Sequence, residues 1–201
     1  MTPSVVPFGK PRAERADAVR NRVHLLETAR EMIAEYGVES LTMDGLAERA
    51  GLGKGTVFRR FETRAGIFRA LLDDVETRFQ QQVLSGPPPL GPDADPVARL
   101  VAYGRARISF LLEHRAIARA GIDRNPSHPV VSVSQVHIRM LLGRARVPMP
   151  DLDGLAVQLT AALEGPVVLY LSMSEESGPP AGEVERLLTD SWQALIERIA
   201  R

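Results

Sequence analysis

Proline and glycine divide this chain, and between the breaks its apolar residues recur at helical spacing. The run Gly86-Pro87-Pro88-Pro89-Leu90-Gly91-Pro92 supplies few backbone donors and fixes too many φ angles for a helix. It splits the chain into roughly 1–85 and 96–201. Further breaks stand at Asn125-Pro126, Pro148–Pro150 and Gly178-Pro179-Pro180, and Pro3, Pro7 and Pro11 mark an extended N-terminal tail.

Between these breaks the period is that of an α-helix. Val23, Leu26, Ala29, Ile33 and Tyr36 share a face over about 17–36, and Ile67, Leu71, Val75 and Phe79 do so over 64–84. Val97, Leu100, Val101, Gly104, Ile108, Leu111 and Leu112 follow over 96–114. Val184, Leu187, Leu188, Ser191, Leu195 and Ile199 close the chain over 182–200, with Trp192 and Ile196 widening the stripe. The nearest strand candidate, Val130 to Ser134, leads into Val136, Met140 and Leu141, and reads as one helix beginning after Pro129. The expectation is an all-α fold of about nine helices.

Composition removes several function classes. The 201 residues hold 25 Lys+Arg against 25 Asp+Glu, so the whole chain is no polycation coating nucleic acid or membrane. With no cysteine there is no disulfide framework, thiolate metal site or cysteine nucleophile. His24, His114, His128 and His137 lack metal-ligand spacing, and no G-x-S-x-G is present, so neither metal, cofactor nor catalytic residue is expected. The first residues lack the apolar stretch of a signal peptide. The longest apolar stretch, Leu155 to Met173, carries Gln158, Thr160, Glu164 and Gly165-Pro166, which argues against a membrane span. A cytoplasmic location is expected.

The most informative segment is 38–64, VESLTMDGLAERAGLGKGTVFRRFETR. Thr42 can cap a short helix whose inner face is Met43, Leu46, Ala47 and Ala50. Gly51 stands where a helix ends in the left-handed conformation, and Leu52 docks the turn. A second short helix runs from about Gly53 to Phe61, with Val57 and Phe61 inward and Lys54, Thr56, Arg59 and Arg60 outward. Two short helices around such a turn form a helix-turn-helix, whose second helix fits a major groove. Lys54, Arg59, Arg60 and Arg64 face only Glu62 over 53–64. Thr63 caps the next helix and leaves Arg64 at its N-terminus, a place that favours phosphate. Gly51-Leu52-Gly53-Lys54-Gly55-Thr56 is not a phosphate loop, because the spacing is wrong and it follows a helix.

Residues 20–72 resemble the N-terminal domain of the TetR family of transcriptional regulators. That pattern is R-x-x-I-L-x-x-A, a glycine turn, then T-x-x-x-I-A-x-x-A-G-V-S-x-G-T-x-Y-x-H-F-x-S-K. Here it is met by Arg22, Leu25-Leu26, Ala29, Gly37, Thr42, Leu46-Ala47, Ala50-Gly51, Gly55-Thr56, Phe58, Phe61, Thr63 and Arg64. The resemblance covers about a quarter of the chain. Gly53 replaces the usual Ser, removing a side-chain cap. Phe58 replaces a Tyr that bonds a DNA phosphate, a loss of about 1 kcal/mol. Arg60 and Arg64 replace His and Lys and keep or add charge.

The resemblance implies a flexible tail (1–15), a three-helix helix-turn-helix DNA-binding domain (16–64), a connecting helix (65–85) and a helical ligand-binding and dimerisation domain (96–201). It implies a repressor that binds a palindromic operator in double-stranded DNA as a homodimer and is released by a small-molecule effector. Lys54 and Arg59 are the base-edge candidates; Thr42, Gly55, Thr56, Phe58, Arg60 and Arg64 are the backbone candidates. Arg12, Arg15 and Arg20 are either a minor-groove arm or a solubilising tail.

The helix from about 151 to 176 is apolar nearly all round, as a helix buried on two sides would be, with Pro166 expected to kink it. With the helix over 182–200 it would pair across a twofold axis through Leu155, Leu159, Leu163, Val167, Leu188, Trp192 and Leu195, Trp192 being either interface or core. Tyr103, Arg107, Gln135, His137 and Glu164 are polar residues on apolar faces and the candidates to orient an effector. Few aromatics imply a mostly apolar one. Two other readings remain: a regulator whose C-terminal half only dimerises or recruits a protein, and an all-α enzyme or carrier.

Overall fold

The computed structural model describes residues 12–121, 133–172 and 178–201. Of the tail expected over 1–15, residues 12–15 are helical and open the first helix, while 1–11, the helix start placed after Pro129 and the helix end placed at 176 lie outside the described residues. So do the side chains of Arg12 and Arg15. Among the described residues there are nine α-helices, one 3-10 turn and no strand.

The chain forms two compact units, Met1–Leu71 and Leu72–Arg201. The division falls inside one helix, α4 (Arg64–Ser85), rather than at its start. The first turns of α4 place Ile67, Phe68, Ala70 and Leu71 in the core of the first unit. Its last turns place Phe79 and Val83 in the core of the second.

In the first unit, α1 (Arg12–Tyr36) packs against a 3-10 turn at Val38–Ser40 and against α2 (Met43–Arg49), and α2 packs against α3 (Lys54–Phe61). The buried face of α1 is Leu25, Leu26, Ala29 and Met32. Val23 and Tyr36, expected inside, are 50% and 61% exposed. The true stripe is rotated because Leu25 and Met32 continue it better than Val23 and Tyr36. Leu41, Leu46, Ala47, Ala50, Val57 and Phe61 complete this core.

The second unit is built from α5 (Pro96–Glu113), α6 (Arg115–Gly121), α7 (Val133–Arg144), α8 (Leu152–Ser172), α9 (Ala181–Ile199) and the end of α4. Asp95 starts α5: its carboxylate accepts from the Val97 and Ala98 amides at 2.9 and 3.1 Å, and Pro96 fills the first position. The strongest packing pairs are α5 with α9 and α7 with α8. Helix α8 runs through Pro166 without interruption.

Two apolar helices are turned otherwise than the sequence suggested. Trp192 is core: it is 3% exposed, and its indole Nε1 donates to the Leu100 carbonyl at 2.9 Å. It lies so close over Gly104 that a Cβ there would stand 1.9 Å from Nε1. On α8, Leu159, Leu163 and Val167 are likewise buried within their own subunit. Leu159, Leu163 and Val167, expected at a dimer interface, are thus occupied by intramolecular packing and are corrected to core, and Trp192, read as either, is core. The outward apolar residues are Val157, Val168 and Leu169 on α8, and Leu187 and Leu195 on α9. Leu155 and Leu188 are half-buried at the edge.

The Gly104–Trp192 contact fixes how closely α5 and α9 approach. Gly104→Ala is expected to destabilise the fold by about 1–3 kcal/mol through overpacking, read as a lower urea midpoint with an unchanged slope.

Candidate functional site

Helix α2 begins at Thr42, whose Oγ1 accepts the Gly45 amide at 3.0 Å. It ends in a Schellman turn. Gly51 has φ +64°, its amide donates to the Glu48 carbonyl at 3.1 Å, and the Leu52 amide donates to the Ala47 carbonyl at 3.0 Å. A residue with a Cβ would be strained at this φ, so the turn needs Gly51. Helix α3 starts at Gly53 without a side-chain cap, as the missing Ser foretold. Val57 and Phe61 anchor it in the core.

The opposite face of α3 carries Lys54, Gly55, Phe58, Arg59 and Arg60, all exposed, with Thr56 half-buried beside them. Phe58 is 48% exposed, a placement that core packing alone would not favour. Arg59 Nη2 lies 3.4 Å from Thr56 Oγ1, and the Lys54 ammonium lies 3.0 Å from Asp44. Both contacts are exposed and weak enough to give way to a stronger partner. Arg60 reaches back to the Ala18 carbonyl of α1. Beside Gly55 a Cβ would meet nothing nearer than Arg59 Nη1 at 3.9 Å, so the helix start stays open to close approach.

A groove of about 560 Å³ runs between α1 and α3, lined by Asp17, Ala18, Asn21, Leu25, Thr56, Arg59 and Arg60. Asn21 is the residue that the sequence reading missed here. It stands between Arg20 and Arg22 on α1, and nothing local signals that it lines a groove with Arg59.

Arg64 is tied into the fold of this unit. Its Nε donates to the Leu41 carbonyl and its Nη2 to the Val38 carbonyl, both at 2.7 Å, with Glu39 3.2 Å away. The guanidinium thus braces the 3-10 turn against the start of α4 instead of standing free for a phosphate. Thr63 caps α4 as expected, accepting the Gly66 amide at 3.0 Å.

In the second unit the expected effector residues fall largely into one buried network. Tyr103, fully buried, donates to Ser134 Oγ at 2.9 Å, and Ser134 donates to Glu164 Oε1 at 2.6 Å. Arg107 donates from Nε to the same Glu164 oxygen at 3.2 Å and from Nη1 to Glu76. Its guanidinium also lies 5.7 and 5.2 Å from the Phe79 and Phe110 rings. Burial works against the Arg107 charge, but Glu76 and Glu164 outweigh it and raise its pKa. Burial pushes the Tyr103 phenol up. The His137 ring lies 4.6 Å from Tyr103. Gln135, half-buried on α7, is not drawn into this network.

Arg99, Ser134 and Glu76 belong beside these residues and were missed. Arg99, Tyr103 and Arg107 are spaced i, i+4, i+8, a stripe that a helical reading of polar residues could have found.

A short second helix, preceded by a glycine turn and presenting three cations and an aromatic ring outward, defines a helix-turn-helix DNA-binding unit. The family model for bacterial regulatory proteins of the tetR family matches residues 25–71. The match covers the helix-turn-helix with parts of its flanking helices, less than half of the chain. A helix-turn-helix-type transcriptional regulator of Staphylococcus aureus (strain bovine RF122 / ET3-1) is 34% identical over 68 residues, 33% of this chain. The match spans 37% of that relative's length. Among solved structures, a TetR-family transcriptional regulator from Pectobacterium atrosepticum aligns with a TM-score of 0.71 at 18% identity, covering 94% of this chain and 97% of the other. NalD of Pseudomonas aeruginosa, the secondary repressor of the MexAB-OprM multidrug efflux pump, aligns with a TM-score of 0.56 at 20% identity, covering 88% and 96%. These structures share the all-α fold.

Two outcomes follow. Arg59→Ala is expected to relax base preference at one position by about 1–3 kcal/mol, measured on duplexes that vary one base pair at a time. The second concerns pH. Burial, then Arg99 and Arg144, push the His137 imidazole down to about 4 from its ordinary 6.5. Above pH 6.5 the imidazole is neutral in both states. As pH falls from 6.5 towards 4, the unfolded chain takes a proton that the fold refuses, so stability drops, by about 3 kcal/mol in full. His137→Phe is expected to flatten that part of the stability–pH curve.

Proposed function

We propose that this chain is a transcriptional repressor that binds a palindromic operator as a homodimer and leaves it when a small effector occupies the second unit. The observation that carries the reading is the outward face of α3: Lys54, Phe58, Arg59 and Arg60 exposed together on a helix short enough for a major groove. Lys54 and Arg59 read base edges. Thr42, Gly55, Thr56, Phe58 and Arg60 meet the backbone, with Asn21 beside them. Arg64 positions α3 through the 3-10 turn. The regulatory activity of the Staphylococcus relative and the repressor role of NalD support the same reading.

Dimerisation follows from two features. One recognition helix reads too few base pairs for specific affinity, so two must be presented together. And α8 needs a second partner. Leu152–Tyr170 is the one helical stretch among the described residues long and apolar enough, by length and composition alone, to cross a membrane. Yet it carries Asp153 and Glu164, and its stripe of Ala156, Leu159, Leu163 and Val167 lies in the subunit core. Val157, Val168 and Leu169, with Leu187 and Leu195 of α9, remain to cover a second copy. The effector site centres on Tyr103, Arg107, His137 and Glu164, in the unit whose core includes Leu100, Ile138, Leu141 and Leu142, and suits a ligand with an apolar body. The protein acts on DNA in the cytoplasm and performs no catalysis.

Selection from a random duplex library at several salt concentrations tests the reading. A palindrome with half-sites about one helical turn, roughly 34 Å, or a multiple of it apart, bound with a steep salt slope, is expected. No enrichment at any salt would refute it. Leu169→Glu combined with Leu187→Glu is expected to give a folded monomer by sedimentation, with binding to the full palindrome weakened at least tenfold.

A further inference from the structure

Two buried side-chain atoms among the described residues have no hydrogen-bond partner: Arg99 Nε and His137 Nε2. Arg99 is 3% exposed and His137 is 7% exposed. Buried polar groups are normally satisfied, and buried charges are normally paired. Arg107, two stripe positions along α5, shows the ordinary solution, with two carboxylates on its guanidinium. Arg99 has only the Val83 carbonyl at 3.2 Å, near the end of α4.

The surroundings of Arg99 are positive. It lies in the first turn of α5, at the positive end of the helix dipole. Burial disfavours its charge most, Arg144 in the last turn of α7 adds to this, and Asp93 only partly offsets them. Tyr103 lies one turn along α5 from Arg99 and stacks on His137, which brings the imidazole to the same end of the stripe. Arg99 and Arg144 both act on that imidazole. Two orphaned nitrogens, two guanidiniums and one outlying carboxylate call for an anion.

We propose that the second unit binds an amphipathic monoanion whose carboxylate accepts hydrogen bonds from Arg99 Nε and His137 Nε2, with its apolar body among Leu100, Ile138 and Leu141. This rests on the effector reading above and names its chemical class. The site also touches α4: the carboxylate competes with the Val83 carbonyl for the guanidinium, and α4 is the helix that begins at the DNA-binding unit.

The full chain is titrated with decanoate, 1-decanol and the straight-chain carboxylates from hexanoate to tetradecanoate. Trp192, the single tryptophan, is the fluorescent probe, because its indole bonds the Leu100 carbonyl next to Arg99. At least one carboxylate is expected to bind tenfold or more tightly than its alcohol and to raise Tm. Arg99→Met is expected to melt no lower than the parent without ligand, since it removes an uncompensated charge, and to lose the preference for carboxylate. A merely structural Arg99, capping α4, would instead lower Tm in Arg99→Met and leave carboxylate and alcohol equal. The proposal is overturned if no carboxylate binds, if the alcohol binds equally well, or if Arg99→Met keeps the preference. The selected duplex separates the two readings. Release by the alcohol alone would leave the effector reading standing and remove the anion. Arg99-dependent carboxylate binding without release would do the reverse.

Discussion

The position of α3 depends on how α2 ends. Gly51 takes a positive φ, the Leu52 amide turns back to Ala47, and the chain leaves at an angle that directs Val57 and Phe61 inward. Everything on the opposite face is thereby sent to solvent. Arg64 secures the other side by tying the 3-10 turn at Val38 and Leu41 to the first turn of α4. The exposed cations of α3 need no strong partners of their own, because the backbone that carries them is fixed by glycine geometry, by buried apolar anchors and by a half-buried arginine. A preorganised cationic helix loses little freedom when it meets DNA.

The second unit follows a different logic. The Trp192 indole over Gly104 lets α5 and α9 approach closely, and this commits α9 to one orientation. Leu187 and Leu195 are then left outside, next in kind to Val157, Val168 and Leu169 on α8. Within the unit, the polar stripe of α5 is uneven. Its Arg107 end is neutralised by Glu76 and Glu164, whereas its Arg99 end is not. A core that leaves one buried cation unmatched has a reason to take up a ligand of opposite charge.

The helix-turn-helix was legible because its determinants are local. The Thr42 cap, the Gly51 turn, the uncapped Gly53 and the Thr63 cap all act within a few residues, and each stands where the sequence placed it. The ties of Arg64 were not legible for the opposite reason: its partners are the Leu41 and Val38 carbonyls, more than twenty positions away. The all-α character was equally plain from the period. What periodicity does not fix is which stripe of an apolar helix faces home. Helices α8 and α9 carry more apolar residues than one core can take, so Trp192, Leu159, Leu163 and Val167 were as eligible for a partner as for the core. For Trp192 the tertiary contact at Gly104 decides between them. Likewise Tyr103, Arg107, His137 and Glu164 stood out as polar residues on apolar faces. That Arg107 is matched and Arg99 is not can be seen only once α4, α7 and α8 are in place.

The central claim is that α3 reads a major groove, and methylation interference on the selected duplex tests it most directly. Methylation at guanine N7 blocks the major-groove edge, and methylation at adenine N3 blocks the minor groove. The account predicts that N7 methylation within both half-sites abolishes binding and that N3 methylation there has little effect. Interference confined to adenine N3, or absent from both half-sites, would contradict it.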